Sequence, residues 1–78
     1  MQDPKHIYEI RPSKHRRTFD LISNVLPFGR SGGYVDAAAA VRQAKSYSGP
    51  HPFVIHVYDE AGNVLETHEH DGDFREQY

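Results

Sequence analysis

The chain has 78 residues, a formal charge of −2 with neutral histidines, and 26% charged residues. This length allows one small domain with a thin core. We therefore predict a single domain over residues 1–78 and expect its tail, 74–78, to be disordered. There is no cysteine, which excludes disulfides, cysteine nucleophiles and thiolate metal ligands.

The chain shows no sign of a targeting or membrane-spanning segment. Residues Met1–His6 lack the apolar stretch of a signal peptide. No apolar run approaches the roughly 20 residues that a transmembrane helix needs. We therefore expect a cytoplasmic location and no membrane partner.

Two short strands are predicted in the first third of the chain. His6–Arg11 and Thr18–Ser23 each alternate apolar and polar residues, as half-buried strands do. Pro12 cannot continue a central strand, so the first strand ends there or lies at an edge. The following segment, Asn24–Gly33, contains one proline and three glycines and is predicted to be a loop.

A helix follows this loop. It is predicted to begin at Tyr34 or Val35 and to end at Tyr47, because its alanine-rich sequence has a high helix propensity. Either Ser31 or Gly33 could serve as its N-cap.

The last part of the chain is predicted to be a β-hairpin. Phe53–Tyr58 and Val64–His70 are its strands, and Asp59–Asn63 is the turn, with Gly62 in a left-handed conformation. The first of these strands is apolar on both faces except at His56, so it requires cover on both faces.

The predicted fold class is α+β with the order ββαββ, in which one helix packs on one face of a four-stranded antiparallel sheet. The helix covers one face only, so a second copy of the chain is the simplest cover for the other. We therefore predict a homodimer. The candidate interface residues are Val54, His56, Tyr58, Leu26 and Phe28.

Three histidines are the candidates for a metal site. His68 and His70 are two residues apart on one predicted strand, so both project from the same face. His56 could lie across from His68, and Asp71 and Asp73 follow closely. Imidazole pairs bind zinc, copper or nickel. A solvated edge strand explains the same pattern better, so we predict no bound metal.

A basic turn is the candidate for nucleic-acid binding. Its cations could contact a phosphate backbone, and they are Arg11, Lys14, Arg16 and Arg17. Exposed loops are commonly charged, and the net charge of the chain is negative, so a solvated turn is the favoured interpretation.

The sequence indicates no catalytic residue and no cofactor. The glycines of Pro27–Gly33 precede a helix, but the spacing and the Lys-Ser or Lys-Thr pair of a phosphate-binding loop are missing. No nucleophile-elbow motif is present.

The segment Val54–Phe74 resembles a family of small, uncharacterised bacterial proteins, a domain of unknown function. Ile10–Pro12, Asp20–Ser23 and Leu26–Gly29 add to the likeness. The resemblance implies a bacterial source and a compact α+β fold, and it implies no activity. The predicted function is a non-enzymatic protein-interaction domain that self-associates. The alternatives are a weak nucleic-acid-binding protein and a metal-binding protein.

Overall fold

The structure is a computed structural model that describes residues 5–14, 17–26 and 29–70. The predicted tail, 74–78, lies outside these residues. The elements are β1 His6–Pro12, β2 Phe19–Ser23, β3 Arg30–Tyr34, α1 Ala37–Ser48, β4 Phe53–Tyr58 and β5 Val64–His70.

Within the described residues, five strands form one mixed sheet in the order β3-β2-β1-β4-β5. Neighbouring strands are antiparallel except β1 and β4, which are parallel. The α+β class is confirmed, but the prediction of a four-stranded antiparallel sheet is wrong on both number and direction.

Both errors have one cause, the missed strand β3. The glycines predict a loop that ends at Gly33 and a helix that begins at Tyr34 or Val35, yet Arg30–Tyr34 forms a strand that pairs with β2. An additional strand reverses the direction in which the chain enters α1, and α1 then returns the chain to begin β4 parallel to β1. A helical crossover is the usual connection between parallel strands.

A close backbone approach accounts for one glycine of β3. A Cβ atom at Gly32 would lie 2.7 Å from Oδ1 of Asp20 on β2. Gly32 makes the sequence look less like a strand, but its lack of a side chain leaves room for the carboxylate of Asp20.

The N-cap of α1 is Asp36, not Ser31 or Gly33 as predicted. Its carboxylate Oδ1 accepts a hydrogen bond from the backbone N–H of Ala39 at 2.8 Å. An acidic side chain here satisfies an otherwise unpaired helical N–H and lies at the positive end of the helix dipole.

The core lies between α1 and one face of the sheet. α1 contributes small buried side chains, which allow the helix to lie close to the strands. The buried core cluster comprises Tyr8, Ile10, Leu21, Ala40, Val41, Ala44, Phe53, Ile55 and Val57. Along each strand the core residues alternate with residues of the opposite face, so the core is one-sided. Among the described residues, no helix has the length and apolar character that crossing a membrane requires.

The predicted turn between β4 and β5 is confirmed, and Asp59 organises it. The carboxylate Oδ1 of Asp59 accepts hydrogen bonds at 2.9 Å from the N–H groups of Ala61 and Asn63. Gly62 has φ = 90°, a conformation that glycine adopts without steric cost. These hydrogen bonds, with that from the Asn63 backbone N–H as the largest cause, lower the pKa of the Asp59 carboxyl below its ordinary 3.8.

Asp59→Asn is expected to destabilise the fold in a pH-dependent way. A carboxyl whose pKa is lower in the folded state stabilises the protein above its unfolded pKa and loses that contribution as pH falls through the folded value. The melting temperatures of wild type and variant should therefore differ at pH 7 and converge below pH 3.8. A pH-independent difference would contradict this role.

Candidate protein interface

The sheet face opposite α1 is called the open face here. Alternation along the strands, together with the pairing registers, places on it Ile7, Glu9, Arg11, Asp20, Ile22, Arg30, Val54, His56, Tyr58, Val64, Thr67 and Glu69. No described element packs across this face, because α1 lies on the other one.

Two apolar side chains lie next to each other on the open face. Ile7 of β1 and Val54 of β4 are neighbours in the parallel register. Val54 is only 9% exposed, whereas Ile7 is 42% exposed. The strand β4 therefore has buried apolar residues on both sides, as the sequence indicated, and Ile7 extends the apolar surface toward solvent.

Charged and aromatic groups continue the face along the same two strands. The Nε of Arg11 donates a hydrogen bond to Oε1 of Glu9 at 2.9 Å. The guanidinium of Arg11 lies 4.0 Å from the centroid of the Tyr58 ring, in cation–π geometry. His56 lies beside Glu9 in the register and 6.2 Å from Tyr58, ring to ring. The apolar pair thus lies at one end of β1 and β4, and polar or charged side chains occupy the rest of these strands on the open face. Protein interfaces commonly combine apolar and polar surface.

The structure brings together three of the five predicted interface residues. Val54, His56 and Tyr58 lie on the open face. Leu26 packs instead against the core cluster. Phe28 lies outside the described residues.

The predicted nucleic-acid residues are divided between two places. Arg11 lies on the open face and contacts Glu9 and Tyr58. Lys14 and Arg17 are exposed near the β1–β2 turn, where Lys14 shares a depression of about 250 Å³ with Glu60. Arg16 lies outside the described residues.

The three candidate metal ligands do not lie together. His68 pairs with Ile55 and His70 with Phe53, on the α1 side of the sheet, whereas His56 pairs with Thr67 on the open face. The Nε2 of His68 lies 3.0 Å from Oε1 of Glu66. Within the part of the chain that the structure describes, no group of three His, Cys, Asp or Glu residues is placed to hold a metal. Asp71 and Asp73 are outside it.

A shallow pocket of about 350 Å³ lies over β5, beside the end of α1. α1 makes its main contacts with β1, β2, β3 and β4, and the pocket lies to the side of them. Its lining consists of Lys45, Gly49, Phe53, His68, Glu69 and His70.

A buried polar cluster that the sequence did not reveal connects the end of α1 with β1. The hydroxyl of Ser48 lies 2.5 Å from the hydroxyl of Tyr8 and 2.7 Å from Nδ1 of His6. The rings of His6 and His51 stack at 5.0 Å. Ser48 is only 1% exposed, so a substrate does not reach its hydroxyl, and the cluster satisfies buried polar groups at the helix end.

Comparisons with known proteins add no identification. No protein-family model matches the chain, and no curated protein or solved structure is significantly similar to it. The resemblance to an uncharacterised bacterial family therefore stays a prediction.

Tyr8→Phe is expected to lower the free energy of unfolding by about 1 kcal/mol. The change removes a buried hydroxyl whose hydrogen bond to Ser48 is worth about that much, while Ser48 keeps His6 as a partner. Burial raises the pKa of the Tyr8 phenol above 10.0, in spite of the opposing Ser48 hydrogen bond. Urea denaturation measures the loss.

Tyr47→Phe is the matched control. The Tyr47 hydroxyl donates to the backbone oxygen of Val25 at 3.0 Å, but its side chain is exposed. Its removal should cost about 0.5 kcal/mol or less. Equal losses for the two variants would show that the buried cluster contributes nothing particular to stability.

Proposed function

We propose that this chain is a non-enzymatic protein-interaction domain that self-associates through its open face. The observation that carries the proposal is the combination of a one-sided core with the neighbouring apolar pair Ile7 and Val54 on the uncovered side. Val54 is already only 9% exposed, so it is the exposed surface of Ile7 that a partner would remove from water, and this favours association.

The size of the face supports a weak dimer. Five strands spaced about 4.8 Å apart, each about 20 Å long, present roughly 500 Å². Stable interfaces bury about 800 Å² on each partner. The expected association is therefore reversible, with a dissociation constant in the micromolar range.

A protein surface suits the open face better than a nucleic acid does. Glu9, Asp20 and Glu69 give it negative charge, and its cations Arg11 and Arg30 each lie beside one of these carboxylates. Phosphate binding requires cations that are available to replace counterions. A bacterial, cytoplasmic setting belongs to the same proposal, supported by the predicted family resemblance and by a composition without cysteine.

Ile7→Glu is expected to weaken self-association at least tenfold, because it places a charge where an exposed apolar side chain would be covered by the partner. Sedimentation equilibrium from about 1 to 500 µM covers the micromolar range in which the dimer is expected. Since Ile7 is already 42% exposed, the fold should survive, and circular dichroism checks this. Ile7→Gln, without the charge, should give a smaller loss.

Val35→Glu is the matched control, because Val35 is 76% exposed but lies outside the sheet face. It should associate as the wild type does. A wild-type chain that stays monomeric at every concentration refutes the proposed function. If Val35→Glu and Ile7→Glu weaken self-association equally, the interface does not lie on the open face.

A further inference from the structure

We propose that two copies pack open face to open face about a two-fold axis that runs parallel to the strands, midway between β1 and β4. This arrangement rests on the proposed function, since it requires the chain to self-associate. It goes further by stating which side chains of the two copies meet.

The parallel register of β1 and β4 generates the contacts. Ile7 lies beside Val54, and Glu9 lies beside His56, at equal heights along the two strands. A half-turn about the proposed axis exchanges these strands while keeping their direction. Ile7 then faces the partner's Val54, and Glu9 faces the partner's His56. Each contact occurs twice, as a two-fold interface requires.

The next position along the strands extends the same match. Arg11 and Tyr58 already contact each other within one chain, at 4.0 Å. The half-turn places Arg11 against the partner's Tyr58, so each ring has a guanidinium available on both sides. The arrangement thus opposes apolar with apolar, acid with imidazole, and cation with aromatic ring.

The same axis also brings the outer strands together. It lies at the middle of the β2-β1-β4-β5 quartet, so β2 of one copy faces β5 of the other. Asp20 and Glu69 lie at opposite corners of this quartet, so the half-turn brings neither carboxylate against the other. Asp20 lies instead opposite the partner's Val64, so the outer strands match less well than β1 and β4 do.

A two-fold axis perpendicular to the strands gives a poorer match. It would place each strand on its own image, so that Glu9 would face the partner's Glu9 and His56 the partner's His56. Ile7 would face the partner's Arg11. Like charges opposite each other disfavour association, so the charge pattern selects the axis that runs parallel to the strands.

Two charge substitutions, Glu9→Lys and His56→Glu, test the arrangement when they are mixed. Alone, each variant loses the acid–imidazole contact, and His56→Glu adds two acid–acid contacts. In a mixed dimer the introduced lysine faces the introduced glutamate, and the native Glu9 faces the native His56. Effects within one chain are the same alone and in the mixture, so only contacts between chains can restore binding.

Sedimentation equilibrium and native mass spectrometry measure the dissociation constants of the Glu9→Lys dimer, the His56→Glu dimer and the mixed dimer. Each variant alone should associate at least tenfold more weakly than wild type, and the mixed dimer should return to within about threefold of it. Gln43→Glu mixed with Gln43→Lys is the control, because Gln43 is exposed on α1, and this mixture should behave as the wild type does.

The possible failures are distinguishable. His56→Glu mixed with wild type should bind weakly, because one acid–acid contact remains; tight binding of that pair would favour the perpendicular axis and overturn ours. If wild type dimerises but the charge-swapped mixture shows no recovery, this arrangement is refuted while self-association stands. A monomeric wild type refutes the proposed function itself.

Discussion

β1 and β4 lie side by side and parallel at the middle of the sheet. This pairing determines which residues meet in the core and which meet on the open face. On one face it joins Tyr8 to Ile55 and Ile10 to Val57, which form the centre of the core beneath α1. On the other face it joins Ile7 to Val54. Parallel strands require a crossover connection, which α1 supplies. The helix that allows β1 and β4 to pair therefore also covers the sheet, but on one face only.

The consequence is a small domain with an unequal distribution of apolar surface. The core lies beneath α1, and at the end of α1 the buried hydroxyl of Ser48 is hydrogen-bonded with Tyr8 and His6. The open face has the apolar pair Ile7 and Val54 at one end of β1 and β4, and charged residues along the rest of it. A face of this size suits the reversible contact proposed above better than an obligate one.

Much of this could be predicted from the sequence. The β4–β5 hairpin was predicted with its turn because Asp59 and Gly62 each have a local reason to be there. The sequence also indicated that β4 needs cover on both faces. The sequence does not indicate the strand β3 because its glycines are typical of loops, and the neighbour that suits Gly32, Asp20, is known only once the strands are paired. The separation of His56 from His68 depends on strand register, and the Ser48 cluster joins residues 40 or more positions apart.

A dilution series of amide chemical shifts tests the central claim most directly, namely that the open face is where two copies meet. We predict concentration-dependent shifts that are largest for the amides of β1 and β4, between Ile7 and Arg11 and between Val54 and Tyr58. The exposed side of α1, including Arg42 and Gln43, should not shift. Shifts centred on α1, or spectra that do not change with concentration, would contradict the account.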